Sequence, residues 1–139
     1  MQIRTQNGKQ YVLCAWRRRF VRLTPEELVR QTTLQLLVDE YAYPHHLIAV
    51  EVPIEVVGKP KRCDAIVYNR SMQPLMLIEF KAPSVAITQE VFDQAAIYNR
   101  HLQVPLLMLC NGRQSILAHV TSSSYTLLDH IPHYPELLG

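Results

Sequence analysis

The sequence predicts an α/β domain built on a mixed sheet, and three observations carry that reading. A capped helix pattern opens the body of the chain at Thr24-Pro25-Glu26-Glu27. The apolar period then changes from helical to two for successive segments between Leu47 and Lys81, and a second helical stretch precedes a short apolar run ending in Asn111-Gly112. With 139 residues, 48% hydrophobic and 19% charged, the chain has enough apolar material for one core and is no disordered tail. Four glycines and three cysteines exclude collagen-like and disulfide-framework classes. No repeat, low-complexity tract or linker divides it, so residues 1–139 read as one domain.

In chain order, residues 10–16 read as a short strand. Thr24 is an N-cap, Pro25 stands at the first helical position and Glu27 at the third, the pattern of a capping box. Leu28, Val29, Leu36, Leu37 and Tyr41 recur at helical spacing, which takes the helix to about Tyr41. From Leu47 to Val57 the period is two, placing Ile48, Val50, Val52, Ile54 and Val56 on one face and Glu51 and Glu55 on the other. Gly58-Lys59-Pro60 reads as the turn, Arg62–Tyr68 as the returning antiparallel strand, and Asn69–Pro74 as the next connection. Leu75–Lys81 is apolar on both faces at its start and is therefore a central strand. After Pro83, Thr88 to about Leu102 reads as a helix with Val91, Phe92, Ala95 and Tyr98 inward. Pro105–Cys110 and Arg113–Val120 make a hairpin around Asn111-Gly112, a type I′ signal. The tail from Thr121 to residue 139, polar and then broken by proline, is expected to pack loosely.

The net charge of +2 is unevenly placed: residues 1–22 carry six bases and no acid, and the remainder is net −4. Arg17, Arg18, Arg19 and Arg22 concentrate this basic arm, which reads either as a phosphate-binding surface for DNA or as a solubilising edge. No apolar run approaches the roughly eighteen residues of a membrane span. The apolar segment Tyr11–Trp16 precedes Arg17-Arg18-Arg19, the reverse of a signal peptide, so the expectation is a cytoplasmic protein with no membrane partner. Cys14, Cys63 and Cys110 lack zinc-ligand spacing and read as reduced thiols. The histidines show no paired spacing and read as surface or internally satisfied groups.

Three charged residues stand where charge is costly. Asp64 interrupts the strand-like run Arg62–Val67, and Glu79 and Lys81 lie on one face at the end of the central strand, with Phe80 turned to the opposite layer. Such groups are expensive to desolvate unless paired with each other or bound to a metal. The two readings are a structural ion pair and a site for metal-assisted phosphodiester hydrolysis. In the second, Mg²⁺ takes carboxylate oxygens and a neighbouring lysine serves the attacking water.

The ordered series resembles a known family. Thr24–Gln31, Glu51–Ile54, Lys61–Val67, Leu77–Pro83, Gln94–Asn99 and Asn111-Gly112 together resemble the PD-(D/E)xK, restriction-endonuclease-like nucleases. Within them the chain is most similar to the N-terminal domain of type I restriction enzyme R proteins, over about residues 24–120. The resemblance implies an α-β-β-β-α-β core and assigns the divalent metal, Mg²⁺ or Mn²⁺, to Asp64, Glu79 and the backbone carbonyl of Phe80. It gives Lys81 the attacking water, and Gln94 a hydrogen bond near the site. Glu27 matches an acid on the first helix that often completes the metal site, a role that stands beside its reading as a capping residue. Tyr98 reads equally as a site residue and as a half-buried core tyrosine. Cys63 departs from the family, standing where many relatives have proline. The implied function is a restriction-type, Mg²⁺-dependent DNA endonuclease domain acting as a homodimer or with other subunits of a larger complex. The alternative is a non-cleaving DNA-binding or assembly module on the same fold.

Overall fold

The computed structural model describes residues 1–139. Its elements are β1 (Ile3–Gln6), β2 (Lys9–Cys14), β3 (Arg19–Arg22), α1 (Pro25–Tyr41), β4 (Ile48–Val56), β5 (Lys59–Tyr68), β6 (Pro74–Phe80), α2 (Gln89–Leu102), β7 (Leu106–Cys110), β8 (Ser115–Val120), β9 (Tyr125–Leu128) and α3 (Tyr134–Leu137). Strands β4 to β9 form a six-stranded sheet in sequence order, and β1 to β3 form a separate three-stranded one. Within the larger sheet only β6 and β7 run parallel, because α2 carries the chain between them. The architecture is mixed α/β with β6 inside the sheet. No helix is long and apolar enough to cross a membrane.

Two apolar layers flank the larger sheet. On one side α1 lays Val29, Leu34 and Leu37 over Ala65, Val67, Met76, Ile78 and Phe80. On the other, α2 lays Phe92 and Ala96 over Ile66, Leu77, Leu107 and Leu109. Each such large side chain contributes about 1.5–3 kcal/mol on burial. The core thus holds β6 from both faces, and the chain end of that strand carries Glu79.

Helix α1 starts as its sequence predicts, with Thr24 Oγ1 accepting from the Glu27 N–H at 3.0 Å. The reciprocal half of the capping box is absent: the Thr24 N–H donates instead to the Arg22 carbonyl. The apolar stripe is also displaced. Leu28 and Leu36 are 43% and 45% exposed, while Glu27, Arg30 and Gln31 are buried. A buried ion-pair network occupies part of the inner face, and a count of apolar residues has no means of seeing it.

Strand β4 breaks its own alternation. Glu51 lies at φ 54°, between the pairs Val50–Ala65 and Val52–Cys63. Ile48 and Val50 pack on the α1 side, but Val52 and Ile54 pack on the α2 side. β5 follows it, with Ala65 and Val67 facing α1 and Cys63 facing α2. The outer half of the hairpin is therefore turned over, so the five alternating apolar residues do not share one face. The hairpin turn falls at Val57-Gly58, with φ 52° and 73°, because Val56 pairs with Lys59. At Asn111 the loop is not type I′: the Asn111 side-chain oxygen accepts from the Arg113 and Gln114 N–H groups at 2.9 and 2.8 Å, and positive φ is confined to Gly112.

Both ends of the chain are more ordered than their sequence predicts. The basic N-terminal segment, residues 3–22, forms an antiparallel meander docked through Trp16, with the expected strand falling at Lys9–Cys14. Its indole N–H donates to the His45 carbonyl at 3.1 Å, and its ring stacks on His45 at 4.3 Å. The tail is not loose either. β9 extends the sheet, and Tyr134 is buried edge-on to Tyr43 at 5.7 Å, its hydroxyl donating to the Tyr68 carbonyl at 2.9 Å. One aromatic ring with a satisfied hydroxyl anchors a segment whose average composition is polar.

Candidate active site at the end of the central strand

The antiparallel register of β5 and β6 sets Ala65 opposite Ile78, and so brings Asp64 beside Glu79. Asp64 Oδ2 accepts from the Phe80 N–H at 2.7 Å, which ties the aspartate to the neighbouring strand. Phe80 is 1% exposed in the α1-side layer. Alternation therefore turns Glu79 and Lys81 toward α2, where they line a cleft of about 130 Å³ with Lys61, Gln94 and Tyr98. The structure thus collects Asp64, Glu79, Lys81 and Gln94 from β5, β6, the residue after β6, and α2.

The pair is short of positive charge. The Glu79 side chain is only 14% exposed, and its Oε1 is buried with no hydrogen-bond partner. The nearest cation, Lys61 Nζ, lies 3.8 Å away, too far for a hydrogen bond. Burial, and then the charge of Asp64, push the Glu79 carboxyl up to about 8, against weaker opposing effects of Lys61 and Lys81. Lys81 forms no ion pair, so Glu79 and Lys81 are not a structural salt bridge. A buried carboxylate with an orphaned oxygen beside a second carboxylate fits a hard divalent cation, with the Phe80 backbone adjoining both. No set of three His, Cys, Asp or Glu side chains surrounds the position, so further ligands there would be carbonyl or water oxygens.

Glu27 does not join this pair. It is 6% exposed, and its carboxylate oxygens are committed to Arg17, to Gln31 Nε2 at 3.0 Å and to Arg30 at 3.2 Å. Those partners draw it away both from a metal and from the Thr24 N–H. The α1 acid that shares the field of Asp64 is Glu26, whose carboxyl is raised by burial and then by Asp64, and lowered by Arg30 and Lys81. Arg17 likewise leaves the group of solvent-exposed arginines. It pairs with Glu27 and lies 3.6 Å from Glu51, with a side chain 14% exposed. Arg18, Arg19 and Arg22 remain exposed. Tyr98 is 45% exposed at the cleft rim, beneath the Lys61 ammonium at 4.0 Å.

Three residues at the site escape a reading of the sequence. Arg30 donates to the Asp64 carbonyl and to Glu51 Oε1, both at 3.0 Å, and so closes the gap where the β4–β5 ladder is interrupted. Glu51 supplies the left-handed kink. Lys61 reaches the cleft only because that kink turns it over. The buried Arg30 had one sequence signal, its place one turn after Glu27.

The fold belongs to the mixed α/β, nuclease-like class. Residues 25–132 match the family model described as "Type I restriction enzyme R protein N terminus", and the chain belongs to that family. The match excludes the small N-terminal sheet. No curated protein matches the chain. Among solved structures, it is similar to a fragment of a putative HsdR subunit of a type I restriction enzyme from Vibrio vulnificus YJ016. The TM-score is 0.58 at 18% identity, over 82% of this chain and 24% of that one. It is also similar to the DrdV chain of a DrdV–DNA complex, with TM-score 0.52 and 20% identity over 83% of this chain and 11% of that one. The chain therefore spans about a quarter or less of the solved chains it matches.

Proposed function

We propose that this chain is a PD-(D/E)xK-type, divalent-metal-dependent DNA endonuclease domain that works within a larger restriction-type assembly. The single observation carrying this reading is the buried, unpartnered Glu79 Oε1 beside Asp64, at a strand end where Lys81 stands on the same face without a partner of its own. Asp64, Glu79 and the Phe80 carbonyl would hold Mg²⁺ or Mn²⁺, which supplies charge neutralisation at the scissile phosphate and a lowered pKa for a nearby water. Lys81, committed to no carboxylate, orients the attacking water and stabilises charge developing on the phosphate. Gln94 lines the same cleft and supplies a neutral donor and acceptor. DNA as substrate is in keeping with the likeness to the DrdV–DNA complex and with the exposed Arg18, Arg19 and Arg22.

The test is cleavage of supercoiled circular DNA by the 139-residue chain with Mg²⁺ or Mn²⁺, comparing wild type with Lys81→Ala and Asp64→Asn. Both substitutions should abolish nicking, and Asp64→Asn should also weaken metal binding by calorimetry. A wild type that binds DNA but never cuts would replace this reading with a non-cleaving module. Cutting that survives both substitutions would move the chemistry elsewhere.

A further inference from the structure

A second cleft adjoins the first. It measures about 680 Å³ and lies between the tip of the β4–β5 hairpin and α2, lined in part by Lys59, Lys61, Gln94, Tyr98 and His101, with no carboxylate in its wall. Lys61, Gln94 and Tyr98 also line the cleft that contains Glu79 and Lys81, so the two clefts share a wall. Lys61 stands on that shared wall, its ammonium 4.0 Å over the Tyr98 ring and 3.8 Å from Glu79 Oε1. With regular alternation from Ala65, which faces α1, Lys61 would face α1 as well. The reversal at Glu51 and Asp64 places it on the α2 side instead.

We propose that Lys61 is a further substrate-binding residue, which grips a phosphate flanking the scissile one in the groove between the hairpin and α2. This rests on the reading of the Asp64–Glu79 site given above. Lys61 is loosely attached to Glu79, and a divalent cation at the carboxylate pair removes that attraction. The ammonium is then free to turn into a groove walled by neutral and basic groups, where the ligand that completes it is an anion. Metal and Lys61 therefore compete for Glu79, whereas metal and phosphodiester cooperate through Lys61. A counter-ion with only a structural role has no such opposed signature.

The experiment compares the 139-residue wild type with Lys61→Met and Lys61→Arg. Mn²⁺ binding is followed by calorimetry without DNA, and binding of a fluorescent duplex by anisotropy in Ca²⁺ across a salt series. Lys61→Met should bind Mn²⁺ at least as tightly as wild type. It should bind DNA roughly tenfold more weakly near 0.1 M salt, with a log–log salt slope smaller by about 0.9, the value of one neutralised phosphate. Lys61→Arg should keep the wild-type slope. A wild-type slope in Lys61→Met, or a parallel loss of Mn²⁺ and DNA binding, overturns the proposal and leaves the nuclease reading standing. A wild type that binds no DNA at all in Ca²⁺ overturns both, so the two failures are distinguishable.

Discussion

Arg30 is one side chain standing in for a missing piece of sheet. It is 5% exposed, and it satisfies the Asp64 carbonyl, Glu51 and Glu27 together. Breaking a buried charge network from one side costs more than never having built it. Arg30→Met should therefore destabilise the protein by about 3–5 kcal/mol, read as a lowered urea midpoint, and adding Glu27→Gln should recover part of the loss. Glu79 makes the opposite contribution. Its carboxyl is raised from 4.5 to about 8 by burial and by Asp64. Below the lower value native and unfolded chains both hold the proton; between the two values the native state alone holds it. Stability of the metal-free protein is therefore greatest on the acid side and falls across that window, by on the order of a few kcal/mol. Urea midpoints followed across the window should show this decline, and Glu79→Gln should flatten it.

Among the elements, the β4–β5 hairpin carries two left-handed residues other than glycine, with different reasons. At Glu51 the strained backbone is held by Arg30 and Arg17, and it reverses the faces of both strands. At Val57 no such reason exists: a β-branched residue, 75% exposed, occupies φ 52° in a two-residue loop that favours Asn-Gly. Val57→Asn should raise the melting temperature, with a gain of about 1 kcal/mol, because asparagine tolerates the left-handed region that valine resists. α1 shows the same division between the local and the remote. Its Thr24 cap follows from neighbours in sequence, whereas its buried polar face is set by Arg17 from the β2–β3 turn, Glu51 from β4 and Asp64 from β5.

For the whole molecule, the N-terminal sheet decides which positive charges are free. Docking through Trp16 and Arg17 turns Arg17 inward to Glu27 and leaves Arg18, Arg19 and Arg22 outward. Replacing those three by glutamine should weaken binding to all DNA sequences alike and reduce the salt slope by about 0.9 for each phosphate no longer neutralised, with metal binding unchanged. Arg17→Gln should instead lower stability and leave the slope as in wild type. Anisotropy and urea titrations on the two variants separate these outcomes, and a triple variant with the wild-type slope would show that the DNA path avoids this sheet.

The sequence by itself determined the order of the body elements and the Thr24 cap, and it placed Glu79 and Lys81 on one face with Phe80 opposite. These depend on short-range periodicity, which neighbours in the chain enforce. It also marked Asp64 as misplaced in an apolar strand. Only the tertiary structure decided that Glu27 belongs to Arg17, Gln31 and Arg30, that the hairpin reverses at Glu51 to bring Lys61 to the cleft, and that Tyr134 pins the tail. Each of these depends on a charge or a ring meeting a partner at least one turn of helix and usually a strand or more away. Burial then makes the meeting worth more than the local preference it overrides, as at Glu51, where two arginines hold a backbone that the period of the strand alone would have kept extended.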